Sequence, residues 1–249
     1  MNTSLAFPLT TKVTALPYHS EPALLFNTLC EHRHHTLLLE SAQIDTKANL
    51  KSLLIVDSAL RISANKNQVT VDALSLNGQH ILALLKNALK EKSTLSVERA
   101  EQCVFTFASS SFPQDEESKL KAASVFDVLR FFLANSTAKE ANAVFVGGLF
   151  AYDLVNGFES LPDLEEVFSC PDYCFYLAEQ LIVIDHQHHH SQLISVAFTD
   201  NPQECQRLDT RQAQLVALAQ QPLKQPQRQP LTPQQAVVSS NMNDEEYGA

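Results

Sequence analysis

Apolar and polar positions along the chain fall into two rhythms, alternation and helical spacing, and most of the chain follows one or the other. Residues Lys12 to Tyr18 predict an opening strand. Ser20-Glu21-Pro22 reads as a helix start, with a capping hydroxyl and Pro in the first turn, and Leu25, Phe26, Leu29 and Cys30 give that helix an apolar face. Glu31-His32-Arg33-His34-His35 closes it with basic side chains at the negative end of the dipole. The stretch from Thr36 to Ile62 comes next. Its first apolar run ends in an acid and a hydroxyl (Leu37-Leu38-Leu39-Glu40-Ser41), a polar loop carries Lys51 at its far end, and Leu53-Leu54-Ile55-Val56 forms a second run. On pattern alone this is strand, polar loop, strand.

A meander follows. Leu60, Ile62 and Ala64 alternate with polar residues, Asn65-Lys66-Asn67 turns the chain, and Val69, Val71 and Ala73 alternate back. After Asn77-Gly78, Ile81, Leu82, Leu85 and Leu89 fall at helical spacing, and Val104-Phe105-Thr106-Phe107 adds a short strand. Pro113 to Lys121 reads as an exposed loop or helical turn. Ser124 caps a second strong helix with Val125, Phe126, Leu129, Phe132 and Leu133 on one side. Val144 to Asp153 is expected as a buried strand broken by Gly147 and Gly148, where glycine marks a bulge or the close approach of another backbone. Phe175 to Asp185 and Gln192 to Phe198 predict a hairpin, and Pro202 opens a polar helix through about Gln220 supported by Leu208, Leu215 and Leu218. The fold class implied is α+β, antiparallel sheet with helices packed on it.

Composition narrows the function. The chain has 249 residues, 45% hydrophobic and 18% charged, with a net charge of -10 that argues against nucleic acid or an anionic membrane surface as a partner. No apolar run reaches the roughly 20 residues of a bilayer span, and the opening MNTSLAFPLTTK carries no secretion signal. Five scattered cysteines suit reduced thiols in a cytoplasmic protein better than a disulfide framework. Five glycines, of which only Gly147 and Gly148 are adjacent, exclude the dinucleotide fingerprint and the phosphate loop.

Three clusters suggest metal or redox chemistry, and each has a plainer account. Cys30, His32 and His34 match no zinc spacing, so a solvated helix end is expected. Cys170-Pro171-Asp172-Tyr173-Cys174 is C-x3-C, stands alone and opens an apolar strand, so buried thiols are expected. His188, His189 and His190 are consecutive at a turn, where alternating directions make a poor single site.

Three long stretches carry a resemblance. TLLLESAQIDTKANLKSLLIVDSALRI, FVGGLFAYDLVNGFESLP and CPDYCFYLAEQLIVIDHQ resemble, in order, the amino-terminal part of anthranilate synthase component I. The resemblance implies a lyase that converts chorismate and glutamine-derived ammonia to anthranilate and pyruvate, the first step of tryptophan biosynthesis. It also implies a glutamine amidotransferase partner, component II, and Mg2+ held against chorismate by a carboxyl-terminal half. The Pro/Gln-rich stretch from Pro222 to Pro233 is expected as a linker, and Asn243-Asp244-Glu245-Glu246 as a helix start. The expected organisation is therefore an amino-terminal region over 1–221, a linker over 222–233, and over 234–249 the truncated start of the chorismate-binding domain. On that expectation the chain is an inactive fragment with no catalytic or metal-binding residues of its own.

What the resemblance places in this chain is part of a feedback site for L-tryptophan, at Leu39, Glu40, Ser41 and Lys51. The chemistry suits the ligand: Ser41 and the backbone at Leu39 and Glu40 supply hydrogen bonds, Glu40 faces a cation and Lys51 an anion. The competing readings are an aminodeoxychorismate synthase component I-like fragment and a non-catalytic tryptophan-binding or docking module.

Overall fold

Two long strands carry the fold. The computed structural model describes residues 10–31, 33–40, 50–108, 122–135, 144–157 and 170–223. Strand β3 (Lys51–Asn65) and strand β8 (Tyr173–Asp185) run antiparallel at the centre of a nine-stranded sheet. The remaining strands are β1 (Thr10–Leu16), β2 (Leu37–Glu40), β4 (Gln68–Ala73), β5 (Thr94–Glu98), β6 (Gln102–Thr106), β7 (Val146–Phe150) and β9 (His190–Ala197). The main order is β1-β9-β8-β3-β4-β6-β5, with β2 also on β3 and β7 also on β8, and every pairing is antiparallel.

Both central strands change their outer partner at the same level. The first part of β3 (Leu53, Leu54, Ile55) pairs with β2, and its last part (Leu60 to Asn65) with β4. Likewise β8 pairs with β7 from Tyr173 to Leu177 and with β9 from Gln180 to Asp185. Between these zones the β3–β8 register shifts at Ile55/Asp57, Asp57/Ser58 and Ser58/Leu60. Such irregularities bend and twist a strand.

Four helices cover the faces: α1 (Pro22–Cys30), α2 (Leu76–Leu89), α3 (Asp127–Asn135) and α4 (Pro202–Ala219). Leu25, Leu29, Leu215 and Ala219 of α1 and α4 pack with Leu54, Val56, Ile182 and Ile184 on one face. Ile81, Leu85, Val128 and Phe132 of α2 and α3 pack with Ile55, Leu60, Leu181 and Val183 on the other. A strand covered on both sides needs no polar alternation, which explains the unbroken runs Leu53–Val56 and Leu181–Ile184.

The α+β class, the hairpins β3–β4 and β8–β9, and the helix opened by Pro202 follow the sequence pattern. Several local expectations do not. No side chain caps α1, whose N-cap is Glu21 rather than Ser20, although Pro22 does occupy its first turn. The same helix stops at Cys30 with no basic residue in its last turn, because Glu31 turns at φ 44. Asn77 and Gly78 lie inside α2, whose cap is Ser75. Leu133 is 73% exposed while Phe131 is buried, because α3 begins only at Asp127 and its inward stripe is Val128, Phe131 and Phe132. The glycine strand is not buried throughout, since Leu149 and Phe150 are exposed on β7. Close backbone approach does hold there: a Cβ on Gly148 would fall against the Cys174 carbonyl oxygen and Phe175 Cα. Cys170 is exposed and Cys174 half-buried, not the buried pair expected, because Cys170 lies before β8 begins. Pro113–Lys121, 224–249 and Ser41 lie outside the described residues.

Candidate functional site

The β2–β3 hairpin positions the expected effector residues, and its register sorts them. Leu39 is paired with Leu53 and Glu40 with Ser52, while Lys51 is paired with Asp185 of β8. Directly paired residues share a face and successive residues alternate. Leu39 and Lys51 therefore share the face of Leu37 and Leu53, which pack toward the α2/α3 core. Glu40 lies on the opposite face with Ser52 and Leu38, which packs toward α1 and α4. The hairpin mouth thus brings Leu39 and Lys51 together on one side and places exposed Glu40 on the other.

Behind Glu40 lies a polar relay that pattern reading missed. Ser52 is 2% exposed, and its hydroxyl is 2.9 Å from His186 Nε2, whose Nδ1 is 3.1 Å from the Tyr18 hydroxyl. The His186 main-chain N–H donates to the Leu50 carbonyl at 3.0 Å. The β8–β9 turn is thereby docked onto the exit of the hairpin loop, and this histidine is structural.

A larger polar knot fills the level where the central strands exchange partners. Asp57 (6% exposed), Ser58, Glu179 and Gln180 interrupt the apolar runs of β3 and β8, and all are buried. Glu179 accepts from Ser75 Oγ (2.7 Å), Asn77 Nδ2 (3.2 Å) and Arg207 Nη2 (2.9 Å). Glu204 of α4 accepts from Arg207 Nε (2.9 Å) and Nη2 (2.8 Å) and from the Asn77 main-chain N–H (2.9 Å). Asp57 is held by Arg33 on one oxygen and by Arg211 Nε at 2.7 Å on the other. Above the knot opens a cavity of about 210 Å³, lined among others by Arg33, His35, Asp57, Glu179, Arg207 and Arg211.

Burial sets the electrostatics of the knot. It pushes the Asp57 carboxyl up to about 6, outweighing the opposing pull of the Arg33 guanidinium. For Glu204 burial acts in the same direction, but the Arg207 guanidinium and then the Asn77 N–H prevail and hold it below the usual carboxylate range. Arg207 is itself raised: burial works against its charge, and the Glu204 and Glu179 carboxylates overcome it. Such a set can hold charge in a fixed place, and each guanidinium is engaged with a carboxylate. The sequence signal was present in the polar pairs Asp57-Ser58 and Glu179-Gln180 inside otherwise apolar strands. Their partners lie too far along the chain for pattern to name.

Among the described residues no three His, Cys, Asp or Glu side chains converge to hold a metal ion. Among the same residues no helix is long and apolar enough to cross a membrane.

Comparison with known proteins gives the chain a family. The model of the chorismate binding enzyme family matches residues 84–249. Anthranilate synthase component 1 of Serratia marcescens is 46% identical over 93% of this chain and 44% of its own length. The protein of the same name from Escherichia coli (strain K12) is 46% identical over the same shares. That of Vibrio cholerae is 41% identical over 98% of this chain and 46% of its own length. The chain thus spans less than half the length of the curated relatives it matches. With well over half of its residues matched by the family model, the chain belongs to the chorismate binding enzymes.

Proposed function

We propose that this chain is the regulatory part of an anthranilate synthase. The enzyme adds glutamine-derived ammonia to chorismate and eliminates pyruvate to leave anthranilate, the first committed step toward tryptophan. What supports the reading is the 46% identity to two proteins named anthranilate synthase component 1, running through the hairpin segment and the central strands. In this reading ammonia comes from a glutamine amidotransferase subunit, component II, and chorismate and Mg2+ are bound by parts of the enzyme other than the residues described here. Free thiols at all five cysteines suit a reducing, cytoplasmic setting.

The chain's own contribution is to bind L-tryptophan as an inhibitor at the mouth of the β2–β3 hairpin. In this reading Lys51 meets the amino-acid carboxylate, Leu39 offers an apolar side on the same face, and Ser41 continues the segment as a hydrogen-bonding group. Glu40, on the other face, contributes through its backbone and through charge rather than by contact across the same wall. Inhibition requires tryptophan to bind one arrangement of the enzyme better than the other. Ser41→Phe in the assembled synthase tests the reading. The expected result is a rise in the tryptophan inhibition constant of at least about tenfold, equivalent to ~1.4 kcal/mol, with uninhibited turnover retained. Unchanged inhibition would remove Ser41 from the site and the hairpin with it.

A further inference from the structure

We infer that Asp57 is a positioning residue for the effector strand: through Arg33 it fixes the connection that delivers β2 to the sheet, and through Arg211 it ties that connection to α4. The inference rests on the reading that the β2–β3 hairpin binds the inhibitor, and it assigns regulation to residues outside that pocket.

The connection from α1 to β2 is short and conformationally demanding. Glu31 and His35 both adopt left-handed backbone, at φ 44 and 61, although neither is glycine. Residues held this way persist where their surroundings over-determine them. Here the surroundings belong to the bulged segment of β3. Arg33 reaches Asp57 Oδ1, and the Ser58 hydroxyl donates to the His35 carbonyl at 2.6 Å. Two successive residues of one strand thus grip two residues of the connection, four and two positions before β2 begins at Leu37. Strand β2 itself has only four paired residues, Leu37 to Glu40, so little else in the sheet fixes its approach.

The grip depends on charge. An ionised Asp57 is ion-paired with Arg33 through one oxygen and accepts from Arg211 Nε on the other. Once protonated, the carboxyl is neutral and no longer pairs with both guanidinium groups. Arg33, 48% exposed, is released at less cost than Arg211, at 19%. The charged and titratable groups facing Asp57 are Cys30 and Arg33 from α1 and its exit, Arg207 and Arg211 from α4, and Glu179 from β8. His34 and His35 border the same cavity, and burial followed by the Arg61 charge lowers the His35 pKa. Burial pushes the Asp57 carboxyl up to about 6, so its charge is lost on mild acidification. Tryptophan inhibition is therefore coupled to the charge on Asp57 while the catalytic step is not.

The test measures the tryptophan inhibition constant of the assembled synthase from about pH 8 to about pH 5, for wild type, Asp57→Asn, Arg33→Gln and Arg33→Lys. In wild type the constant should rise at least about fivefold as pH falls through the Asp57 range. Asp57→Asn and Arg33→Gln should show the weakened value throughout, with the pH dependence lost and KM for chorismate and kcat within about twofold of wild type. Arg33→Lys should restore part of the inhibition. Should Asp57→Asn fail to assemble, the half-exposed Arg33→Gln decides alone. Wild-type inhibition and pH profile in Arg33→Gln, with Ser41→Phe desensitised, would overturn the inference and leave the effector reading standing. If Ser41→Phe is fully inhibited as well, both fall together.

Discussion

Asn77→Ala should be among the most damaging single substitutions in the chain, and the structure allows its cost to be worked out. Asn77 is completely buried at the start of α2. Its Nδ2 donates to Glu179 Oε2 at 3.2 Å and to the Val196 carbonyl at 2.9 Å, and its Oδ1 accepts from the Phe198 N–H at 2.6 Å. Alanine removes all three bonds. Glu179 keeps Ser75 and Arg207, so its loss is partial. The Phe198 N–H and the Val196 carbonyl each lose a hydrogen bond to this side chain, and a buried bond lost in this way costs about 1–3 kcal/mol. Alanine is the best helix former, but that gain is at most ~0.7 kcal/mol and cannot offset the loss. The expected destabilisation is about 4 kcal/mol, or roughly 8–16 °C in melting temperature for a domain of this size. Urea or thermal unfolding of the purified chain measures it. Asn77→Asp is the informative control, because it keeps the acceptor for Phe198, loses both donors and places a carboxylate beside Glu179. It should be no better than alanine. A loss below about 1 kcal/mol for alanine, or a well-tolerated aspartate, would refute the account of Asn77 as the stitch between α2, β8 and β9.

Two further outcomes follow from the same level of the sheet. Gly78→Ala should destabilise by about 2 kcal/mol despite alanine's helix propensity, because the added Cβ would be driven into the Ala59 carbonyl oxygen, a backbone atom of β3 that also accepts the Leu74 N–H at 2.8 Å. A thermal melt showing stabilisation would mean that α2 slides freely on the sheet. Asp57→Asn should change the pH dependence of stability in a set direction. The Asp57 carboxyl is raised from 3.8 to about 6, so its stabilising contribution is complete below 3.8 and is lost as pH rises through 6. Wild-type stability relative to the asparagine variant should therefore fall by up to about 3 kcal/mol between pH ~4 and ~7, measured by denaturant titration at several pH values. A difference that grows with pH instead would reverse the sign assigned to burial.

Periodicity carried the elements well where a single physical demand shaped them. The alternation of Leu60, Ile62 and Ala64 against Val69 and Val71 needs only one hairpin turn, and Lys66 supplies it with φ 55. It failed where two demands met. Leu53–Val56 and Leu60–Ala64 are one strand, joined through Asp57-Ser58, because the polar pair is engaged by Arg33, Arg211 and His35 rather than by solvent. Strand β5 was not foreseen, since Thr94–Glu98 is an edge strand with exposed residues and little apolar signal. The proposed effector segment rests on resemblance, whereas the separation of Leu39 and Lys51 from Glu40 depends on register alone. Register is fixed by pairing across the loop, and no pattern within either strand states it.

The buried charges are a poor stability device. Ionising Asp57 in place works against its burial, and buried ion pairs are often no better than apolar residues of similar volume. What they do supply is uniqueness of arrangement. At the partner-exchange level β3 must bulge while β2 leaves it and β4 joins, and β8 must do the same for β7 and β9. An apolar filling would tolerate several registers there. Guanidinium–carboxylate pairs tolerate few, because a slip leaves a buried charge unpaired at a cost of about 3–5 kcal/mol. Arg207 binds Glu179 and Glu204 together, and Arg211 binds Asp57, so α4 can dock at one position only. The same demand that fixes the fold makes its loosest member, Arg33, the natural point of release. It is the most exposed of the three arginines and the one nearest β2, so a change of charge at the knot is felt first by the strand proposed to carry the effector segment.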